Sequence, residues 1–171
     1  VFRDFGALLD GYGGDRFSIG EIHVFNTDEW ATYYGGDLDE LHMPFNFSLV
    51  WAPWDARRFR ELIDSVDVAV PPGGWPNYVL GTHDERRLVG RYGEQQARVA
   101  AMLLLTLRGT PTLYYGDELG LTNVEIPREK QQDPWALQEP AVESRDGCRT
   151  PMPWDGTATS GFSPPGSAEP W

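Results

Sequence analysis

Short apolar runs alternate with amphipathic segments through the first two thirds of the chain. Four apolar runs of strand length predict buried strands over 17–24, 41–47, 78–82 and 112–115. Apolar residues at helical spacing predict helices over 2–12, 55–68 and 94–107, and a short helix beginning at Thr27. Strands that alternate with helices indicate a parallel sheet covered by helices, because a parallel connection needs a crossover segment.

The helix over 94–107 is the most regular of these elements. It is rich in Ala and Leu and contains no Gly or Pro, so local propensity favours it. Its apolar residues run around much of its circumference, which predicts that it is largely buried.

The alternating pattern ends at residue 118. Residues 119–171 are rich in Pro, Gly, Asp and Glu and show no sustained period. We therefore predict two regions, an α/β part over 1–118 and a long loop region over 119–171. A loop of this length is usually functional.

Composition limits the possible partners. The formal net charge of −12 argues against nucleic acid and anionic membranes, because both repel an acidic surface. Cys148 is the single cysteine, which excludes an internal disulfide and weakly favours the cytoplasm. The chain begins at Val1 and ends at Trp171 in a run rich in Pro and Gly, so we expect an internal piece of a longer protein.

Acidic residues stand near the ends of the predicted strands, where barrel enzymes place their chemistry. Glu21 is flanked by Ile19 and Ile22, whose burial around a carboxyl would favour the protonated form that a general acid needs. The alternative is a solvated or ion-paired glutamate at a strand end, and spacing alone favours this alternative.

The His83-Asp84 pair follows another apolar run and suits a cleft better than a barrel interior. Asp84 could bind sugar hydroxyls or offset positive charge in a transition state, with His83 donating to the same ligand. A structural role for both residues is equally compatible with the sequence. Arg87 and Arg149 are candidate ligand clamps because a guanidinium is a rigid fork of donors, although each taken singly fits a structural ion pair better.

The sequence predicts no metal site and no cofactor. The three histidines lack the paired spacing of metal ligands. They are His23, His42 and His83.

Four motifs in order resemble the α-amylase family, glycoside hydrolase family 13, in its α-glucosidase and oligo-1,6-glucosidase branch. The motifs are Gly20-Glu21, Thr82-His83-Asp84, the segment from Gly109-Thr110-Pro111 to Gly116-Asp117-Glu118, and the segment from Ser144 to Trp154 that contains Arg149. They are similar to the family's fifth-strand, seventh-strand and eighth-strand motifs and to the segment that brings an arginine to the bound glucose.

The resemblance implies the C-terminal half of a (β/α)8 barrel, strands five to eight, followed by the long loop. It implies a retaining α-glucosidase that acts on malto- or isomalto-oligosaccharides, with Glu21 as acid/base and Asp84 stabilising the transition state. His83, Arg149 and Arg87 are the expected substrate ligands. The family's nucleophile, an Asp in a fourth-strand motif, has no match here, so the chain alone is expected to be inactive.

Two positions depart from the family pattern, since Thr82 replaces the usual Asn and Arg86 replaces a common Pro. A transglucosylase or isomerase of the same family, such as a trehalose synthase-like enzyme, would share these motifs. A noncatalytic carbohydrate-binding or scaffold relative is a third possibility, which the joint presence of Glu21, His83 and Asp84 disfavours.

Overall fold

A computed structural model describes residues 1–139 and 141–167 of the chain. The predicted loop region over 119–171 includes residues 140 and 168–171, which lie outside the described residues. The helices and strands are α1 (Phe2–Asp10), β1 (Ile19–Gly20), α2 (Thr27–Ala31), β2 (Met43–Pro44), α3 (Ala56–Ala69), β3 (Asn77–Val79), α4 (Leu88–Tyr92), α5 (Glu94–Thr106), β4 (Thr110–Thr112) and α6 (Pro134–Gln138). Short 3-10 helices cover Thr32–Tyr34, Asp117–Leu119, Arg128–Lys130 and Arg145–Cys148.

The residues form two compact units. The first contains residues 1–80 and 98–112, and the second contains residues 81–97 and those from 113 onward.

The four strands of the first unit form two separate parallel pairs, so their direction agrees with the prediction although they do not join into one sheet. Strand β1 pairs with β2, with Ile19 opposite Met43, and β3 pairs with β4, with Asn77 opposite Thr110. The side-chain amide of Asn77 reinforces the second pair by donating to the Thr110 carbonyl at 3.2 Å and to the Thr112 hydroxyl at 2.6 Å.

The strands are much shorter than the apolar runs predict. Each has only two or three residues, and β4 begins at Thr110 where the prediction placed residue 112. Pro44 and Pro111 lie within strands and have no N–H to donate, which limits how far each ladder can extend. The prediction of the strand positions is therefore approximate, and the prediction of their lengths is wrong.

Aromatic and branched side chains fill the interior of the first unit. Phe47, Val50 and Val79 form one buried cluster, which Phe45 partly covers. Helix α2 contributes the buried Trp30, whose ring meets Tyr34 edge-on at 5.5 Å. Burying side chains of this size is the main source of stability for the unit.

Helices α2 and α3 begin at side-chain caps. Asn26, the residue before the predicted start at Thr27, accepts a hydrogen bond from the Glu29 amide at 2.9 Å. Asp55 caps α3 by accepting from the Arg58 amide at 2.9 Å. Each cap satisfies an amide that the helix itself leaves without a partner.

The prediction that α5 is largely buried is wrong. Ala100 and Leu104 are its only fully buried residues among those described, whereas Val99, Met102 and Leu105 are at least 45% exposed. The helix forms because its residues have high helix propensity, and it packs along one narrow stripe.

The second unit contains more loop than regular structure. Its helices α4 and α6 have five residues each, and two short 3-10 helices, Arg128–Lys130 and Arg145–Cys148, lie in the described part of the predicted loop region. Within the described part of the chain, no helix is both long and apolar enough to cross a lipid bilayer.

The close packing around Gly109 leads to a testable prediction. A Cβ atom there would lie 2.8 Å from the Pro76 carbonyl oxygen and 2.8 Å from the ring of the buried Tyr78. We expect Gly109→Ala to lower the free energy of unfolding by about 1–3 kcal/mol, because a backbone oxygen cannot move aside cheaply. Urea denaturation measures the loss.

Gly36→Ala is the matched control, since a Cβ atom there meets nothing within 4 Å. Equal stability of the two variants would contradict the packing described for Gly109.

Candidate active site

Glu21 directly follows β1 in the first unit, so it lies at the end of a strand as predicted. Its side chain is 49% exposed, and one carboxylate oxygen lies 3.8 Å from the Nε2 atom of His23. Ile19 is also exposed. The Glu21 carboxyl is therefore a solvated group at a strand end with a histidine nearby, which is the alternative that spacing favours, and its flanking isoleucines do not enclose it.

Two residues that follow Glu21, His23 and Phe25, belong to a cluster of aromatic rings. The His23 ring stacks on Phe47 at 4.5 Å, and Phe47 stacks on Trp51 at 4.9 Å. Phe25 meets Trp51 edge-on at 5.1 Å. Phe25 and Trp51 both remain exposed, so this wall presents aromatic faces of the kind on which sugar rings pack.

In the second unit, a tight turn presents His83 and Asp84. The Asp84 amide donates to the Thr82 hydroxyl at 3.1 Å, so the threonine that replaces the usual asparagine still supports the turn. The Nε2 atom of His83 lies 3.5 Å from the Asp84 Oδ1 atom. His83 is half exposed and Asp84 is one-fifth exposed, so both remain accessible to a ligand.

Two arginines hold Asp84 at a single oxygen. Arg145 donates from Nη1 to Oδ1 at 2.7 Å, and Arg149 donates from Nη2 to the same oxygen at 2.8 Å. Arg149 also donates from Nε to the His83 carbonyl at 2.8 Å. Charge-assisted bonds of this length are about twice as strong as neutral ones, so they fix the carboxylate in one orientation.

A second carboxylate holds Arg145. Asp133 accepts from the Nε and Nη2 atoms of Arg145 at 2.8 and 2.6 Å, and from its backbone amide at 2.9 Å. These bonds hold the pKa of Asp133 well below its usual value and raise the pKa of Arg145. Sequence reasoning missed both residues. The signal for Arg145 was its place four residues before Arg149 in the same motif, and for Asp133 it was the helix-starting Asp-Pro pair.

Arg87 does not present its guanidinium to a ligand, contrary to its predicted role in binding substrate. The residue is 1% exposed, and it donates to the carbonyls of Tyr115 at 2.6 Å and Cys148 at 2.8 Å. Its guanidinium also faces the Tyr114 and Tyr115 rings at about 5 Å. Because Arg87 is buried between the loops that contain Tyr115 and Cys148, its guanidinium cannot bind a ligand directly.

Asp117 and Glu118 differ in their surroundings. Glu118 accepts from the Gly116 amide at 2.7 Å and so closes its own turn. Both carboxylate oxygens of Asp117 are buried and have no hydrogen-bond partner among the described residues. This burial raises the pKa of Asp117 from 3.8 to about 6, although the positive charge of Arg87 opposes the shift.

A cavity of about 590 Å³ lies elsewhere in the second unit, lined by Arg86, Asn123, Arg128, Glu143 and neighbouring loop residues. Arg86, at the position where the family commonly has proline, forms an exposed bidentate pair with Glu143 at its edge. The cavity contains none of the predicted site residues.

The structure brings His83, Asp84 and Arg149 together within the second unit and adds Arg145 to them. Glu21 belongs to the first unit. That the carboxyl groups of Glu21 and Asp84 face one cleft remains a prediction.

The chain is similar to one protein family and to several known proteins. Residues 2–171 match the family described as "Alpha amylase, catalytic domain". The chain is 35% identical over 170 residues to an alpha-glucosidase of Apis mellifera, covering 95% of this chain and 29% of that protein. It is 33% identical over 169 residues to the human amino acid transporter heavy chain SLC3A1, covering 95% of this chain and 24% of that protein.

A solved structure is also similar. The alpha-glucosyl transfer enzyme XgtA matches with a TM-score of 0.84 and 36% identity, over 94% of this chain and 31% of that chain. The chain thus spans less than a third of the length of each of these proteins.

The raised pKa of Asp117 predicts a dependence of stability on pH. The unfolded chain loses this proton near pH 3.8 and the folded chain near pH 6, so folding favours the protonated form. The stability that protonation contributes is complete below pH 4 and is lost as the pH rises through 6. Relative to the wild type, Asp117→Asn should therefore gain about 2–3 kcal/mol between pH 4 and pH 7.

Urea unfolding of both proteins at pH 4, 5, 6 and 7 measures this difference. The measurements at pH 4 serve as the reference, because the wild-type carboxyl is largely protonated there when folded. A difference that stays constant across the four pH values would show that Asp117 is not a desolvated acid.

Proposed function

The chain belongs to the alpha-amylase family, and on that premise we propose that it supplies part of the active site of a retaining α-glucosidase. The observation that carries the proposal is the exposed His83-Asp84 turn whose carboxylate is oriented by Arg145 and Arg149. A fixed anion beside a histidine and an arginine suits a sugar ring that gains positive charge as its glycosidic bond breaks.

We assign the chain to strands five to eight of a (β/α)8 barrel. The two parallel strand pairs, with helices between the strands, fit part of such a barrel. The order of the Glu21, Asp84 and Arg149 motifs supports the C-terminal half. In this assignment the nucleophilic Asp lies on a fourth strand outside this sequence, so the 171 residues alone do not complete the site.

In the proposed mechanism Glu21 is the acid/base. It protonates the leaving oxygen as the nucleophile attacks the anomeric carbon, and it then takes a proton from the water that releases glucose. Retention by this route requires that the carboxyl groups of Glu21 and of the nucleophilic Asp lie about 5 Å apart.

Asp84 binds sugar hydroxyls through Oδ2, because its Oδ1 atom already accepts from two guanidinium groups. These contacts strengthen as the ring flattens, which lowers the barrier without tightening the ground state to the same extent. His83 and Arg149 orient the glucose. Arg87 supports the site indirectly by joining the loops that contain Tyr115 and Cys148.

The proposed substrates are malto- or isomalto-oligosaccharides with a terminal α-glucosidic bond. The exposed rings of Phe25 and Trp51, which meet edge-on, offer a surface for the leaving sugar. The net charge of −12 supports the proposal that nucleic acid is not a partner. A cytoplasmic location is part of the proposal on the evidence of the single cysteine.

Two other functions have a specific observation in their favour. The likeness to the alpha-glucosyl transfer enzyme XgtA favours a transglucosylase, in which a sugar hydroxyl replaces water in the second step. The likeness to the transporter heavy chain favours a noncatalytic relative. We prefer the hydrolase to the noncatalytic relative because Glu21, His83 and Asp84 are all present and all accessible.

Substitution of Glu21 tests the assignment. In the full-length protein, Glu21→Gln should lower kcat/KM for maltose by about 100-fold or more, since general acid catalysis contributes about that much. For 2,4-dinitrophenyl α-glucoside the loss in the glucosylation step should be at least about tenfold smaller, because a good leaving group needs little protonation. Pre-steady-state kinetics with both substrates measures the two losses.

Glu29→Gln is the control, since Glu29 is an exposed glutamate on α2 in the same unit. Equal losses on both substrates would mean that Glu21 binds substrate without donating a proton. A wild-type protein that hydrolyses neither substrate would refute the proposal that it is an α-glucosidase.

A further inference from the structure

The Asp133 side chain is fully buried, and the guanidinium group that it holds also contacts Asp84. Its two oxygens grip the Nε and Nη2 edge of Arg145 while the opposite nitrogen, Nη1, reaches Asp84 Oδ1. The guanidinium lies 5.6 Å from the centroid of the Trp135 ring. Arg145 therefore uses one edge as an anchor and the other as a contact with the candidate catalytic turn.

The anchor itself is built into the backbone. Asp133 caps α6 by accepting from the Trp135 amide at 3.2 Å. The neighbouring buried Asp146 accepts from the Gln132 and Asp133 amides at 2.7 and 3.1 Å and from the Ser144 hydroxyl at 2.7 Å. These bonds join the loop at residues 132–133 to the turn that contains Arg145, so the base of the arginine is held in place.

We propose that Asp133 and Arg145 are positioning residues that form a relay and hold the Asp84 carboxylate in its working orientation. Asp133 fixes the plane of the Arg145 guanidinium, and Arg145 with Arg149 fixes Oδ1 of Asp84. No described residue donates to Oδ2, so the relay leaves that oxygen for the sugar. The cluster contains two carboxylates and two guanidinium groups, so its formal charges cancel, and removing any one of them leaves a charge without its partner.

A purely structural role predicts a different pattern. Arg145 would then stabilise the loop over 132–149, and its loss would lower stability without a specific effect on ligand binding. A positioning role acts through Asp84, so its effect must disappear once Asp84 no longer has a charge to orient. A double-mutant cycle measures this dependence directly.

The inference rests on the proposed function, and the experiment separates the two. The full-length protein is titrated by calorimetry with 1-deoxynojirimycin, a glucose-configured cation, and is assayed for maltose hydrolysis. The variants are Arg145→Lys, Asp133→Asn and Asp84→Asn, singly and in pairs with Asp84→Asn. The control is Arg128→Lys, because Arg128 braces the same loop through Gln131 and the Ala136 carbonyl without touching Asp84.

Arg145→Lys should weaken inhibitor binding by about 10- to 100-fold, since a lysine cannot hold Asp133 with two bonds and reach Asp84 as well. Asp133→Asn should weaken it in the same direction, and Arg128→Lys by less than about threefold. In the Asp84→Asn background, Arg145→Lys should change binding by less than about twofold. Maltose kinetics should show kcat falling more than KM changes.

An unchanged affinity in a folded Arg145→Lys protein would overturn the relay. So would an equal loss in the wild-type and Asp84→Asn backgrounds. If Arg145→Lys fails to fold in a thermal melt, Asp133→Asn decides the question by the same cycle. A wild type that binds the inhibitor without hydrolysing maltose refutes the proposed enzyme and leaves the relay to be decided by binding, whereas a wild type that binds nothing overturns both.

Discussion

The pairing of the Asp84 carboxylate with two arginines joins distant segments of the second unit. A carboxylate at the tip of an accessible turn can remain in one orientation only if donors hold it there. Arg145 and Arg149 do so at one oxygen, and the bond from Arg149 to the His83 carbonyl ties the same turn to the loop past residue 143. Chain segments more than sixty residues apart therefore meet at one atom, which is how a region with little regular structure maintains a defined site.

The helices could be predicted more accurately than the strands, for a physical reason. Helix formation depends mainly on neighbouring residues and on apolar spacing, so the prediction of 55–68 lies within one residue of α3. Strand length depends on the partner and on which residues can donate, so Pro44 and Pro111 shorten strands that hydrophobicity alone extends. The burial of α5 was overestimated because composition does not show what packs against a helix.

The site residues divide in the same way. Glu21, His83, Asp84 and Arg149 could be chosen as candidates because each belongs to a short motif whose order along the chain resembles one family, and their roles stay a prediction. Arg145 and Asp133 were missed because the contacts that connect them to Asp84 join separate loops. The error at Arg87 has the same origin, since only the fold reveals that its guanidinium is enclosed by Tyr115 and Cys148.

The central claim is that Asp84 is an oriented anion with one oxygen reserved for the substrate. A crystal structure of the full-length protein with a bound glucose-configured inhibitor tests this claim most directly. Our account predicts that Oδ2 of Asp84 accepts from a sugar hydroxyl while Oδ1 keeps both arginine contacts, with Glu21 at the anomeric end of the sugar. An inhibitor bound away from Asp84, or an Asp84 that releases Arg145 and Arg149 to reach the sugar, would contradict it.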